Sequence, residues 1–113
     1  MKIGEYVRTK DGIILKIKDI EDIYTTDNEY IGMAIYDNKG HFVNDVEIIK
    51  SSPKIIDLIQ VGDYVNGDSV SFVGADSIEV FWYKDEKQWL DKEDIKSIVT
   101  REQFSQMEYK VKE

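Results

Sequence analysis

Apolar and polar residues alternate along Gly12–Ile20. Ile13, Leu15 and Ile17 fall on one phase, Ile14, Lys16 and Lys18 on the other, the two-residue period of a strand with one buried face. Glu5–Thr9 has a shorter run of the same kind, with Tyr6 and Arg8 on the phase opposite Val7. Lys10-Asp11-Gly12 between the two runs has the chemistry of a hairpin turn in which glycine takes a positive φ. Asp19–Glu29 breaks the pattern with five acids and few large aliphatics, which predicts an exposed loop. Tyr30–Asp37 is rich in strand formers. Asp37-Asn38-Lys39-Gly40 turns the chain, His41–Val43 returns along it, and Asp45–Lys50 adds another strand. At Ser52-Pro53 the signal switches to a short helix. Serine offers an N-cap oxygen, proline suits the first helical position, and Ile55, Ile56 and Ile59 form an apolar stripe. Two turns of helix need tertiary packing to persist.

The second half repeats this plan. Asp63–Val65 is a short strand and Asn66-Gly67-Asp68 a turn; Val70–Val73 and Ile78–Tyr83 are strands joined across Gly74-Ala75-Asp76. Lys84-Asp85-Glu86-Lys87 turns the chain and Gln88–Leu90 pairs back. A simple hairpin there sets Trp82 opposite Trp89 and Phe81 opposite Leu90. Asp94–Val99 is the last central strand. Thr100 caps a short helix with Gln103 at the capping-box position, and Tyr109–Val111 is expected to close the barrel.

Three short segments recur in the same order. Ile3-Gly4-Glu5-Tyr6-Val7 matches Val61-Gly62-Asp63-Tyr64-Val65. Asp45–Ile49 matches Asp94–Ile98, and Ser52–Ile59 matches Thr100–Met107. By this alignment the middle of the first half is about nine residues longer than that of the second, an excess placed in a loop. The expected organisation is therefore mainly β, two related units over residues 1–60 and 61–113. Five short strands ending in a helical turn resemble the layout of SH3-like small barrels, a fold that hosts many functions.

Composition narrows the function classes. The 113 residues are 42% hydrophobic and 12% aromatic, values of a folded chain. The longest apolar run is only a few residues, far below the roughly 20 needed to span a bilayer as a helix. Cysteine is absent, which removes disulfides and thiolate metal sites and fits a cytoplasmic protein. The net charge of −8 and the scattering of the lysines disfavour direct binding to nucleic acid. His41 is the only histidine. No Ser-His-Asp or Cys-His set and no phosphate-cradling glycine loop is present, so a non-enzymatic chain without a cofactor is expected.

Two features remain as candidate binding chemistry. One is acidic: Asp19, Glu21, Asp22, Asp27 and Glu29 in the first half, Asp85 and Glu86 with Asp91, Glu93 and Asp94 in the second. Neither cluster has the loop offsets of a calcium site. Each reads either as a solvated loop or as a negative patch for a basic groove on a partner, spaced to imitate phosphates. The other is the run Val80-Phe81-Trp82-Tyr83 together with Trp89. Neighbouring strand residues point to opposite faces, so Trp82 or Tyr83 must approach either the surface or the boundary between the halves. Trp and Tyr are enriched in binding hot spots.

The stretch Ile55–Gly67, together with Ile95–Phe104 and the opening Met1–Val7, resembles small uncharacterised accessory proteins of phages and prophages from low-GC bacteria. The middle segments Tyr24–His41 and Ser69–Trp89 depart from that pattern. The resemblance implies a setting in the host bacterial cytoplasm and no particular residue roles. Accessory genes of this kind often encode inhibitors of bacterial defence systems, anti-CRISPR proteins among them. The expectation is a protein that binds a host protein, such as a nucleic-acid-binding defence protein, through Trp82, Tyr83, Trp89 and the acids. A small-molecule or nucleotide sponge with a pocket between the halves, and a virion assembly component, are the alternatives.

Overall fold

The computed structural model describes residues 1–83 and 86–107. β1 (Tyr6–Thr9) is a strand as its sequence predicts, but its burial does not alternate: Val7, Arg8 and Thr9 are all fully buried. It pairs antiparallel with β2 (Ile14–Lys16) on one side and β6 (Ile48–Ser52) on the other. Gly12 closes the β1–β2 hairpin at φ +82°, and Thr9 Oγ1 accepts the Ile13 N–H at 3.0 Å. The chain leaves β2 through Ile17 and Lys18 and continues as β3 (Asp19–Tyr24), which pairs with β4 (Tyr30–Tyr36); β4 pairs in turn with β5 (Phe42–Asn44). A 3-10 turn, Asp45–Glu47, leads from β5 into β6, and a second, Ile55–Leu58, follows it. These elements belong to the first of two units into which the chain divides, Met1–Leu58 and Ile59–Glu113.

Three expectations for this unit change. Asp19–Glu29 is not a loop. Its first six residues are β3, and Thr25 organises a tight turn by accepting the Asp27 and Glu29 N–H groups on Oγ1. An edge strand bonds through its backbone and needs no apolar face, and charged side chains on an edge discourage further pairing. The segment Asp45–Lys50 begins as a 3-10 turn, and the strand starts only at Ile48. The helix after Ser52 is a single 3-10 turn. Ser52 ends β6 three residues before that turn and is not its N-cap; its Oγ accepts the Lys54 N–H at 3.1 Å and donates to Asp57 Oδ2 at 2.6 Å.

The second unit forms one five-stranded sheet in the order β10-β9-β8-β7-β11. Its strands are β7 (Tyr64–Val65), β8 (Asp68–Val73), β9 (Ser77–Tyr83), β10 (Glu86–Asp91) and β11 (Ile98–Val99). Asn66 and Gly67 both take positive φ, 53° and 86°, as a two-residue hairpin turn requires. The segment Asp94–Val99 is mostly not strand. A 3-10 turn Lys92–Asp94, capped by Asp91, precedes the two residues of β11. α1 (Arg101–Met107) then opens on the expected capping box. Thr100 N–H donates to Gln103 Oε1 at 3.1 Å, and Gln103 N–H to Thr100 Oγ1 at 3.3 Å. Tyr109–Val111 lies outside the described residues. The fold is mainly β, 49% strand, with three sheets, one α-helix and no closed barrel among the described residues.

The two units share backbone geometry position by position. Gly4 and Gly62 both have positive φ and donate to Ile17 O and Val70 O; Ile17 and Val70 donate back to Glu5 O and Asp63 O. Tyr6 pairs with Ser52 as Tyr64 pairs with Val99. Ile35 faces Val43 as Ile78 faces Leu90, one step before the caps Asn44 and Asp91. The later sequence matches therefore move in register. Asn44–Ile48 corresponds to Asp91–Ile95, so Asp45 aligns with Lys92 and not with Asp94. The offset falls from 58 at Tyr6/Tyr64 to 47 at Ser52/Val99, so the stretch between these positions is eleven residues longer in the first unit, not nine. Most of the excess lengthens the β3–β4 hairpin. Four members of the first core cluster, Val7, Ile17, Ile35 and Val43, have buried counterparts in Val65, Val70, Ile78 and Leu90.

The β4–β5 turn depends on one carboxylate. Asp37 Oδ1 accepts the Lys39 and His41 N–H groups at 2.8 and 2.9 Å, and Oδ2 lies 3.1 Å from His41 Nδ1. Partial burial pushes this carboxyl up, but the hydrogen bonds outweigh it and hold its pKa below the usual aspartate value. A depressed folded-state pKa stabilises the turn above the unfolded value and loses that contribution as pH falls through the folded one. We expect the Asp37 carboxyl carbon to titrate below the free aspartate value in an NMR titration, with the Lys39 and His41 amide shifts following it. A midpoint at or above the free aspartate value would contradict this.

Candidate functional site

The outer face of β8–β10 gathers aromatic side chains in register rows. Phe72, Glu79 and Trp89 form one row across three strands; Ser69, Phe81 and Lys87 form the next; Tyr83 faces Glu86 at the tip. Phe72 and Trp89 meet edge to face over Glu79, centroids 6.0 Å apart. Glu79 is fixed beneath them by Ser71 Oγ at 2.9 Å and Lys87 Nζ at 3.5 Å. The Lys87 ammonium also lies 5.3 Å from the Phe81 ring centroid. Phe72, Phe81, Trp82, Tyr83 and Trp89 remain 41–58% exposed. Contiguous apolar surface of this kind marks interaction sites more than it marks ordinary monomer surface.

Two bulges create this face. β8 shifts register between Val70 and Phe72, so Val70 faces Val80 inward while Phe72 faces Glu79 outward. β10 shifts between Glu86 and Lys87, opposite Tyr83 and Phe81, which leaves Trp82 as the extra residue. The expected pairing is therefore corrected. Trp82 has no rung opposite Trp89, Phe81 faces Lys87, and Leu90 faces Ile78. Trp82 packs on Tyr83 instead, centroids 6.1 Å apart. Bulges re-aim side chains in this way. Phe81, part of the aromatic run, and Phe72, outside it, join the site. Strict alternation puts Phe72 on the phase of the buried Val70, and only the bulge at Ser71 turns it outward.

Within the first unit the acids do not converge on one point. Asp19 and Glu21 share the outer face of β3 with Tyr36 across the ladder, while Asp22 takes the opposite phase, facing Met33. Asp27 and Glu29 belong to the β3–β4 turn. Glu86 opens β10. Asp85 lies outside the described residues. Among the described residues no group of three or more potential ligands can hold a metal, and no helix is long and apolar enough to cross a membrane. The acids act instead on neighbouring tyrosines. Burial, then the charge and hydrogen bond of Glu21 and the charge of Asp19, raise the Tyr36 phenol above its ordinary pKa. Burial, Asp22 and Asp45 do the same to Tyr30.

The row Phe72-Glu79-Trp89 has a counterpart in the first unit, Asp19-Tyr36-Phe42. Each row holds one acid and two aromatics. Phe42 and Trp89 occupy equivalent positions, half-exposed in both units. The outer face of the meander is thus aromatic in both units, and far more so in the second. Comparison with known proteins finds no matching family, no matching curated protein and no matching solved structure.

Proposed function

We propose that this chain is a non-enzymatic binding protein whose second unit docks a partner protein on the outer face of β8–β10. The observation that carries the reading is the set of five half-exposed aromatics, Phe72, Phe81, Trp82, Tyr83 and Trp89, on and beside one rigid sheet face. Large aromatics supply most of the energy of protein interfaces when a partner desolvates them. The second unit carries 12 acids against 7 bases, so the fitting partner offers an apolar patch rimmed by basic side chains. A nucleic-acid-binding host protein has such a surface. Use of that contact as an anti-defence inhibitor in a bacterial host's cytoplasm is the biological role that follows, and its support is the resemblance of the chain's ends to phage accessory proteins. We also read each unit as an SH3-like small barrel. Supporting this are a closing strand beside the opening strand, a meander between them and a 3-10 turn before the last strand.

The test compares capture of a host partner by the native chain and by folded face variants. Trp89→Ala should weaken capture about tenfold, and Phe72→Ala/Trp89→Ala by roughly a hundredfold, as expected for central aromatic anchors. Added salt should lower the association rate. Equal capture by native protein and a folded Trp82→Ala/Tyr83→Ala/Trp89→Ala variant would remove the face from the interaction.

A further inference from the structure

A cavity of about 560 Å³ opens in the first unit between β2, its continuation through Lys18, and the β4–β5 turn. That volume falls within the roughly 300–1,000 Å³ of small-molecule sites. Ile3, Gly4 and Ile14 give it an apolar lining, and three basic residues, Lys16, Lys18 and Lys39, line it as well. In a chain of net charge −8, this is a local reversal of sign. The one carboxylate in the lining, Asp37, is already engaged by the Lys39 and His41 amides and by His41 Nδ1. The walls are held in place. Asp37 N–H donates to His41 O at 2.9 Å, Lys18 N–H donates to Tyr36 O at 2.8 Å, and the Lys16 ammonium rests 5.6 Å from the Tyr6 ring centroid.

The second unit serves as an internal control. By register, Lys16 corresponds to Ser69 and Lys18 to Ser71, so the shared scaffold does not require lysine there. Gly62 is covered by Arg101 Cδ, 3.7 Å from where a Cβ would sit, whereas the same position on Gly4 has nothing within 4 Å. The second unit covers this place with a side chain; the first leaves it open and surrounds it with cations.

From this we infer that the first unit binds a small organic anion, an apolar body carrying one phosphate or carboxylate group, with the body on Ile3, Gly4 and Ile14 and the head group among Lys16, Lys18 and Lys39. This site is separate from the aromatic face, and either can fail without the other. The probes are phenyl phosphate, benzoate, inorganic phosphate and phenol, titrated into the full chain and followed by amide NMR shifts. Phenyl phosphate or benzoate should saturate with a Kd of about 0.1–1 mM, with shifts confined to the cavity around Gly4, Lys16–Lys18 and Lys39. Whichever of the two is tighter identifies the head group. Inorganic phosphate and phenol, each holding half of the chemistry, should bind about tenfold more weakly. Lys16→Gln/Lys18→Gln should keep the native spectrum and lose about tenfold in affinity, whereas Lys92→Gln/Lys96→Gln, in the second unit, should lose none. The inference is overturned by the absence of saturable shifts at about 10 mM phenyl phosphate and benzoate, by shifts spread over lysines throughout the chain, or by undiminished binding in Lys16→Gln/Lys18→Gln.

Discussion

Arg8→Ala should destabilise the first unit by about 3–5 kcal/mol, the combined cost of a stranded buried carbonyl and of the space a long side chain leaves. Arg8 is fully buried on β1, on the phase opposite the core residue Val7. Its guanidinium donates from an Nη to the Leu58 carbonyl at 2.8 Å, fifty residues along the chain. That bond ties β1 to the 3-10 turn Ile55–Leu58, whose Ile56 and Leu58 are themselves buried. Alanine removes the donor, strands a buried carbonyl at a cost of about 1–3 kcal/mol, and leaves a space in place of a long side chain. Domains of this size are stable by only about 5–15 kcal/mol, so one substitution removes a large share. Urea denaturation should show the midpoint falling with the slope unchanged. Arg8→Lys keeps the charge without the planar fork and should fall between the native chain and alanine. A loss below about 1 kcal/mol for alanine, the level of an ordinary surface change, would show that the buried guanidinium is not what pins the turn.

Arg8 also shows where the sequence is legible and where it is not. Alternation places it on the phase opposite Val7, and a strand arginine opposite a core valine normally faces solvent. Its burial depends on a turn about fifty residues later, which no local pattern reports. Local chemistry did predict local structure: the Gly12 and Asn66-Gly67 turns, the Asp37 turn and the Thr100–Gln103 capping box all form. Each requires only residues within a few positions of one another. The Gly-acid-Tyr-Val repeat was visible for the same reason, being one contiguous backbone device. Failures came where pairing overrides composition. β3 is acidic yet forms a strand because β4 supplies its hydrogen bonds. The aromatic face was half visible: Trp82, Tyr83 and Trp89 stand out by type, but the bulges at Ser71 and Trp82 decide which rings share a face. A bulge inserts one residue without a compositional mark, and every later side chain then changes side. The lysine cavity was invisible because Lys16, Lys18 and Lys39 look scattered in sequence and meet only through the β4–β5 turn.

Asp63→Ala should cost the second unit about 3 kcal/mol, since it leaves two part-buried N–H groups without their charged acceptor. Asp63 is the acid of the repeated Gly-acid-Tyr-Val device. It is fully buried, and both of its oxygens accept backbone donors: Oδ2 from Gln60 at 2.7 Å and Oδ1 from Arg101 at 3.0 Å. The second of these bonds holds the first residue of α1, the helix that carries Phe104 onto Tyr64 with ring centroids 4.6 Å apart. Loss of the carboxylate should therefore loosen α1 as well as the turn, and the Phe104 and Tyr64 ring signals should broaden or shift together. Asp63→Asn is a sharper variant. Its amide offers one acceptor oxygen and turns a donor towards the other N–H, so it should recover little of the loss. The first unit provides the matched comparison, because Glu5 accepts the Lys2 N–H at 2.6 Å in the same turn but at the surface. Water can replace that acceptor, so Glu5→Gln should change stability by less than about 0.5 kcal/mol. If the two acids cost the same to remove, burial of the acceptor is not the source of the difference; if only Asp63 matters, the same motif serves as a surface turn in one unit and as the buried anchor of a helix in the other.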